Sequence, residues 1–135
     1  MKSKILILIT SILLLSCNHD EESTLTQIPN GDYSGIFTVE YNNGDTFSNT
    51  VTVRFLEDNV YSSSGNTDYY PAGGNGTFEI NNSTIKFNDI NFWTANFDWN
   101  LILNSEYDFS LNGNELIISA NKNDVGFYKY TLTRE

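Results

Sequence analysis

The chain has 135 residues, 39% of them hydrophobic and 14% aromatic, with a formal charge of -10. Such an acidic balance argues against nucleic acid as a partner and against direct adhesion to anionic lipid. A single cysteine and a single histidine leave no intrachain disulfide and little equipment for nucleophilic or histidine-based metal chemistry.

The first sixteen residues read as an address. Lys2 and Lys4 supply a positive start, and Ile5 to Leu15 is an apolar run interrupted only by Thr10 and Ser11. The run is too short to cross a bilayer, which takes roughly 20 helical residues, and fits the core of a secretory signal. It ends in Leu14-Leu15-Ser16-Cys17, which resembles the bacterial lipobox. The resemblance implies cleavage before Cys17, lipid on its thiol and attachment to a membrane. Each buried methylene contributes about 0.8 kcal/mol, so two or three acyl chains anchor stably. The following Asn18-His19-Asp20-Glu21-Glu22 resembles the acidic signal of surface-exposed lipoproteins in Bacteroidetes. That implies an outer-membrane lipoprotein displayed on the cell surface more than on the periplasmic face. Residues 1–16 are thus expected to be a signal peptide, 17–30 a lipid-anchored flexible tether and 31–135 one β domain. Loss of Lys2 and Lys4 leaves five basic residues against seventeen acidic ones, a charge of -12.

Within the domain, apolar residues recur at every second position, the mark of half-buried strands. Tyr33, Phe37, Val39 and Tyr41 share one face of a first strand, and Asn42-Asn43-Gly44-Asp45 is a hairpin turn. Phe47, Val51, Val53 and Phe55 share a face in the second run. Glu57-Asp58-Asn59 turns the chain into a short strand at Val60 to Ser63. Ser64 to Gly74 is irregular, and Pro71 argues against a central strand there. Thr77–Ile80 and Thr84–Asn88 form a hairpin over Asn81-Asn82-Ser83. Asp89 to Asn96 is a connection. Phe97, Trp99, Leu101 and Leu103 alternate with Asp98 and Asn100 as a further strand. Tyr107, Phe109 and Leu111 follow, then the Asn112-Gly113-Asn114 turn, then Leu116, Ile118 and Ala120. Asn121 to Asp124 turns into a last strand with Tyr128, Tyr130 and Leu132 on one face. Nineteen asparagines suit this many tight turns, because asparagine tolerates positive φ. Eight or nine short antiparallel strands need their edges closed. The economical answer is an all-β, antiparallel up-and-down barrel of about eight strands, with a two-sheet sandwich as the alternative.

The ends of the domain carry a resemblance. Gly31-Asp32-Tyr33 opens the first strand and Thr131-Leu132-Thr133-Arg134 closes the last. This resembles the lipocalins, which begin with Gly-x-Trp and set a basic residue from the final strand over that ring. The resemblance implies a lipocalin-like barrel closed by Tyr33, in place of tryptophan, and Arg134, through a cation–ring contact of about 0.5–2 kcal/mol. Thr67-Asp68-Tyr69 matches another lipocalin motif in letters but falls too early in strand order.

Chemistry is sparse. His19 lies in the tether, so no Ser-His-Asp or histidine-rich metal site is expected in the domain. Gly73-Gly74-Asn75-Gly76 lacks the lysine and helix of a phosphate loop. Asp98, Glu106 and Asp108 read as solvent-facing carboxylates, and Asp89 with Asn88 and Asn91 is too thin a set for a dedicated calcium loop. No catalytic residue, metal or cofactor is assigned, and the reading is not that of an enzyme. Aromatics are the distinctive feature. Phe97 and Trp99 read as core, while Tyr69, Tyr70, Phe92 and Trp93 sit in irregular segments. Tyr69, Tyr70, Phe92, Trp93 and Trp99 are the candidate ligand-binding residues. The expected function is a binding module for a small apolar ligand inside the barrel or a glycan against these loops. The alternative is a protein-interaction or inhibitor module of the cell envelope.

Overall fold

The computed structural model describes residues 27–135; the leader, Cys17 and residues 18–26 lie outside them. Eight strands follow in order: β1 (Gly31–Tyr41), β2 (Thr46–Leu56), β3 (Val60–Ser63), β4 (Gly74–Asn81), β5 (Thr84–Asp89), β6 (Ser105–Asn112), β7 (Glu115–Lys122) and β8 (Gly126–Arg134). Each pairs antiparallel with the next, and β8 returns to β1 to close a barrel. The all-β up-and-down barrel is therefore the fold, and closure excludes the sandwich.

Period-two alternation decides which side chains fill the barrel. Tyr33, Phe37 and Val39 of β1 are buried, while Ile36 and Glu40 face out. Inside, rings meet mostly edge to face. Tyr33 meets Phe55 at 5.4 Å, Phe55 meets Phe78 at 5.2 Å, and Tyr61 meets Phe87 at 4.7 Å. Phe37 lies tilted against Tyr130 at 4.8 Å. These packings favour aromatic quadrupoles and leave the interior filled by the protein's own side chains. Asparagine and aspartate take the left-handed turn positions: Asp58, Asn59, Asn82, Asn123 and Asp124 all have φ between 51° and 59°.

Two expectations about the elements are corrected. The run from Phe97 to Leu103 is not a strand. It belongs to a connection over residues 90–104 that contains a 3-10 turn at Trp99–Leu101. The Asp98 side chain accepts the Asn100 amide and starts that turn, an Asx geometry that competes with the extended chain. Leu101, Ile102 and Leu103 are then buried in succession, which an alternating strand cannot achieve. The boundary expected at residue 30 also shifts, because residues 28–30 belong to the folded domain. Ile28 is in the core at 2% exposure, and the Tyr33 hydroxyl donates to the Pro29 carbonyl at 2.9 Å.

Tyr33 and Arg134 are cross-strand partners in the β1–β8 register. The Arg134 guanidinium passes beside Gly31 and donates to the Asn30 carbonyl at 2.7 Å. The contact at this end is thus a hydrogen bond to the entering chain, in place of the cation over the Tyr33 ring.

Closure brings β1 and β8 together most tightly at Gly35. A Cβ there would lie 2.0 Å from the Thr131 carbonyl oxygen, a backbone atom held by the ladder. Gly35→Ala is therefore expected to lower stability by about 2 kcal/mol or more, measured as a drop in the urea midpoint. A wild-type midpoint would show that β1 and β8 can separate locally at no cost.

Candidate binding surface at the loop end

Strand direction sorts the connections into two ends. The chain enters beside the β2–β3, β4–β5 and β6–β7 turns. At the opposite end lie the hairpin 42–45, the β3–β4 loop 64–73, the β5–β6 connection 90–104 and the turn 123–125. This loop end is itself plugged. Leu101, Ile102 and Leu103 fold into the barrel mouth, and a parallel bridge joins Gly73 to Ile102. Ala72 donates its amide to the Leu101 carbonyl at 3.0 Å, and Leu103 donates to Gly73 at 2.8 Å.

An irregular segment inside a barrel carries backbone carbonyls that need donors. The barrel wall supplies them at three consecutive positions. Tyr107 reaches the Ile102 carbonyl at 3.5 Å, Tyr61 donates to Leu103, and the Lys122 ammonium donates to Asn104 at 2.8 Å. Lys122 also lies 4.1 Å from the centre of the Tyr107 ring. It is the last residue of β7, on the face of Leu116, Ile118 and Ala120, so its inward direction follows from parity. Reading Asn121–Asp124 as a turn hid it. Withdrawal from water lowers its pKa to about 8, partly offset by the charge of Asp98.

Asp98 is a hub and not a surface carboxylate. One oxygen accepts the Tyr41 hydroxyl at 3.1 Å and the Tyr128 hydroxyl; the other accepts the Asn100 amide at 3.0 Å. Burial first, and then Asp98, hold both tyrosines well above their usual pKa. Asp89 pins the other end of the connection, accepting the Asn75 amide at 2.7 Å and the Trp93 indole at 2.6 Å. Both its oxygens are thereby engaged within the protein. Among the described residues no three carboxylate, histidine or cysteine groups gather as metal ligands. Glu106 and Asp108 are exposed on the outer wall.

The five candidate aromatics all fall at this end, in distinct settings. Tyr69 stacks on Phe97 at 4.4 Å, and Trp93 meets the same Phe97 ring edge-on at 5.8 Å. Tyr70 stacks on Phe47 at 4.3 Å, and its carbonyl accepts the Asn49 side chain. Trp99, expected in the core, is 59% exposed with its indole N–H on the Ala95 carbonyl. Phe92 is 92% exposed and Ile90 69%. Of the eight exposed large hydrophobic residues among those described, Phe47, Tyr69, Ile90, Phe92, Trp99 and Val125 belong to this end. Ile36 lies on the wall and Leu56 at the entry end. An outer groove of about 650 Å³ at the entry end is lined by Asp32, Arg54, Leu56 and Val60. There Arg54 and Asp32 are joined in an ion pair, with Glu57 also on the lining.

Removal of the Asp98 carboxylate strips two tyrosine hydroxyls and one amide of their acceptor. Asp98→Ala is expected to cost about 2 kcal/mol and to speed amide exchange over residues 99–104 before the strands. Both tryptophans of the chain lie in this connection, so their emission reports it directly. Unchanged exchange there would mean that the plug is held by its apolar residues alone.

Lys122 gives a pH signature. Its folded pKa is depressed, so between about pH 8 and the ordinary lysine value near ~10.4 the unfolded chain binds more protons. Stability contributed through Lys122 therefore rises with pH across that window. Relative to Lys122→Met, the wild-type urea midpoint is expected to climb from about pH 7.5 to about pH 9.5. A constant difference would show an ordinary lysine.

Comparison with protein-family models, with curated proteins and with solved structures finds no match to this chain.

Proposed function

We propose that the protein is a lipid-anchored binding module of the cell envelope, a lipocalin-like lipoprotein that recognises its partner on the loop end of the barrel. The observation that carries this is the concentration of exposed large hydrophobic residues at that end, led by Phe92, Ile90 and Trp99. Water-exposed apolar residues gathered in one region commonly mark an interaction surface. The packed interior supports the outer surface over an internal ligand. Polarity of the chain supports it too. Residues 28–30 enter at the opposite end, so a lipid on Cys17 leaves the loop end facing away from the membrane. The eleven residue-to-residue steps from Cys17 to Ile28 reach roughly 36–40 Å at full extension, enough to clear the headgroups.

A glycan is the second reading. Trp99 favours it, being an exposed indole beside Asn96 and Asn100 that could stack on a sugar face.

The test compares exposed hydrophobic residues with each other. Phe92→Ser and Trp99→Ser are expected to weaken capture of envelope protein or polysaccharide fractions by about tenfold or more. Ile36→Ser, equally surface-directed but on the wall, is expected to leave capture intact. The reverse ranking would place recognition on the wall. Growth with a labelled fatty acid is expected to mark the wild-type chain and not Cys17→Ser, and a wild-type chain without label would remove the anchor from this reading.

A further inference from the structure

The loop end has a chemistry more specific than apolarity, and it selects between partner classes. A sugar is held by free aromatic faces flanked by hydrogen-bonding groups. Here the best-formed ring faces are already used: Tyr69 against Phe97 at an interplanar angle of 5°, and Phe47 against Tyr70 at 8°. The side chains that stand out are Phe92, with nearly its whole surface in water, the aliphatic Ile90, and Trp99, whose indole N–H is already spent on the Ala95 carbonyl. Aliphatic groups bind apolar protein side chains and give little to a sugar hydroxyl. Phe92 has the form of an anchor that fills a pocket on a partner.

Charge is the second, independent observation. The four segments 42–45, 64–73, 90–104 and 123–125 contain Asp45, Asp68, Asp98 and Asp124 and no lysine or arginine. Asp45, Asp68 and Asp124 are exposed, as is Glu40 at the end of β1. Lys122, two residues from Asp124, is turned inward onto the Asn104 carbonyl, while Lys129 on the outer face of β8 is a diagonal neighbour of Glu40. Phe92 thus shares its end of the barrel with three exposed aspartates on segments that carry no cation of their own. A third observation concerns rigidity. Phe92 lies between Asp89, which holds Trp93, and Asp98, which holds Tyr41 and Tyr128. A connection pinned on both sides loses little conformational freedom when it docks.

We infer that the loop end docks a protein surface with an apolar centre and a lysine- or arginine-rich rim, with Phe92 and Ile90 entering the centre and the aspartates facing the rim. This rests on the reading of the loop end as the recognition surface and names its partner class.

The described strands and core lie within residues 28–134, so the chain from residue 17 carrying Cys17→Ser, expressed without the leader, keeps the barrel without lipid. The probes are a leucine–lysine amphipathic peptide, a leucine–glutamate peptide of the same apolar pattern, and maltoheptaose, each followed by emission of Trp93 and Trp99. The leucine–lysine peptide is expected to give a saturable change, weakening from about 50 to about 500 mM salt. The leucine–glutamate peptide is expected to give none. The double variant Ile90→Ser/Phe92→Ser is expected to weaken the first by about tenfold or more, with Ile36→Ser at the wild-type value. Leucine–lysine binding that survives the double variant would be attraction to the acidic wall and would overturn the inference. A Trp99-dependent response to maltoheptaose with none to the leucine–lysine peptide would overturn it too, while leaving the loop end as the recognition surface. Silence toward all three probes also overturns it. The loop end itself fails separately, if Phe92→Ser and Trp99→Ser leave capture of envelope fractions unchanged.

Discussion

The pairing of β8 with β1 is the constraint on which the rest depends. It removes both sheet edges at once, and it fixes the interior at the bore of an eight-stranded barrel, about wide enough for side chains to fill. This sequence fills it with rings. Tyr33, Tyr61, Tyr107, Tyr128 and Tyr130 are buried there along with Phe37, Phe55 and Phe87. Closure also explains Gly35, where the wall approaches itself too closely for any side chain. A barrel closed and filled in this way has its interior committed to packing, so what it presents to water is its outer wall and its two ends.

The two ends are sealed by different means. The entry end uses Ile28 and the carbonyls of Pro29 and Asn30, met by Tyr33 and Arg134. The loop end uses Leu101–Leu103; the Leu101 carbonyl is met by the Ala72 amide, but those of Ile102 and Leu103 would be orphaned in an all-phenylalanine core. That is the physical reason for tyrosine inside the barrel: Tyr61 and Tyr107 pack as rings and donate as hydroxyls. Tyr128 does the same toward Asp98. Tyr130 is the exception, a buried hydroxyl without a partner, and nothing in the structure explains why it is not phenylalanine.

Strand positions were legible because alternation and asparagine-rich turns are local signals. Gly44 at φ 95° and Gly113 at φ 60° sit where the two Asn-Gly turns were read. The segment from Phe97 to Leu103 was illegible for a definite reason. Its apolar residues happen to alternate, but the Asx turn at Asp98 breaks the extended chain, and tertiary burial then takes three residues in a row. Once that strand dissolves, the errors about its residues follow together: Trp99 moves from core to surface, and Asp98 moves from surface to hub. Lys122 and Ile28 were missed at element boundaries, where one residue of shift exchanges inside for outside. The candidate aromatics share one end because alternate connections of an up-and-down barrel fall together, but which rings pair with each other depends on loop-to-loop contacts that no local pattern encodes.

The connection 90–104 resolves into two tasks along its length. Its second half supplies Leu101, Ile102 and Leu103 to the mouth and accounts for the plug completely. Its first half adds Ile90 and Phe92, which touch water and contribute little to that plug. Connections of this length in small domains are uncommon unless they serve a function. A loop needed only for closure could reach the mouth from β5 with fewer residues and polar ones. Keeping an isoleucine and a phenylalanine exposed carries a risk of aggregation, and on a chain this acidic charge repulsion between copies offsets that risk. Under the proposed reading, the same acidity that keeps two copies apart would favour a partner of opposite charge, so one feature of this sequence would serve both solubility and selectivity.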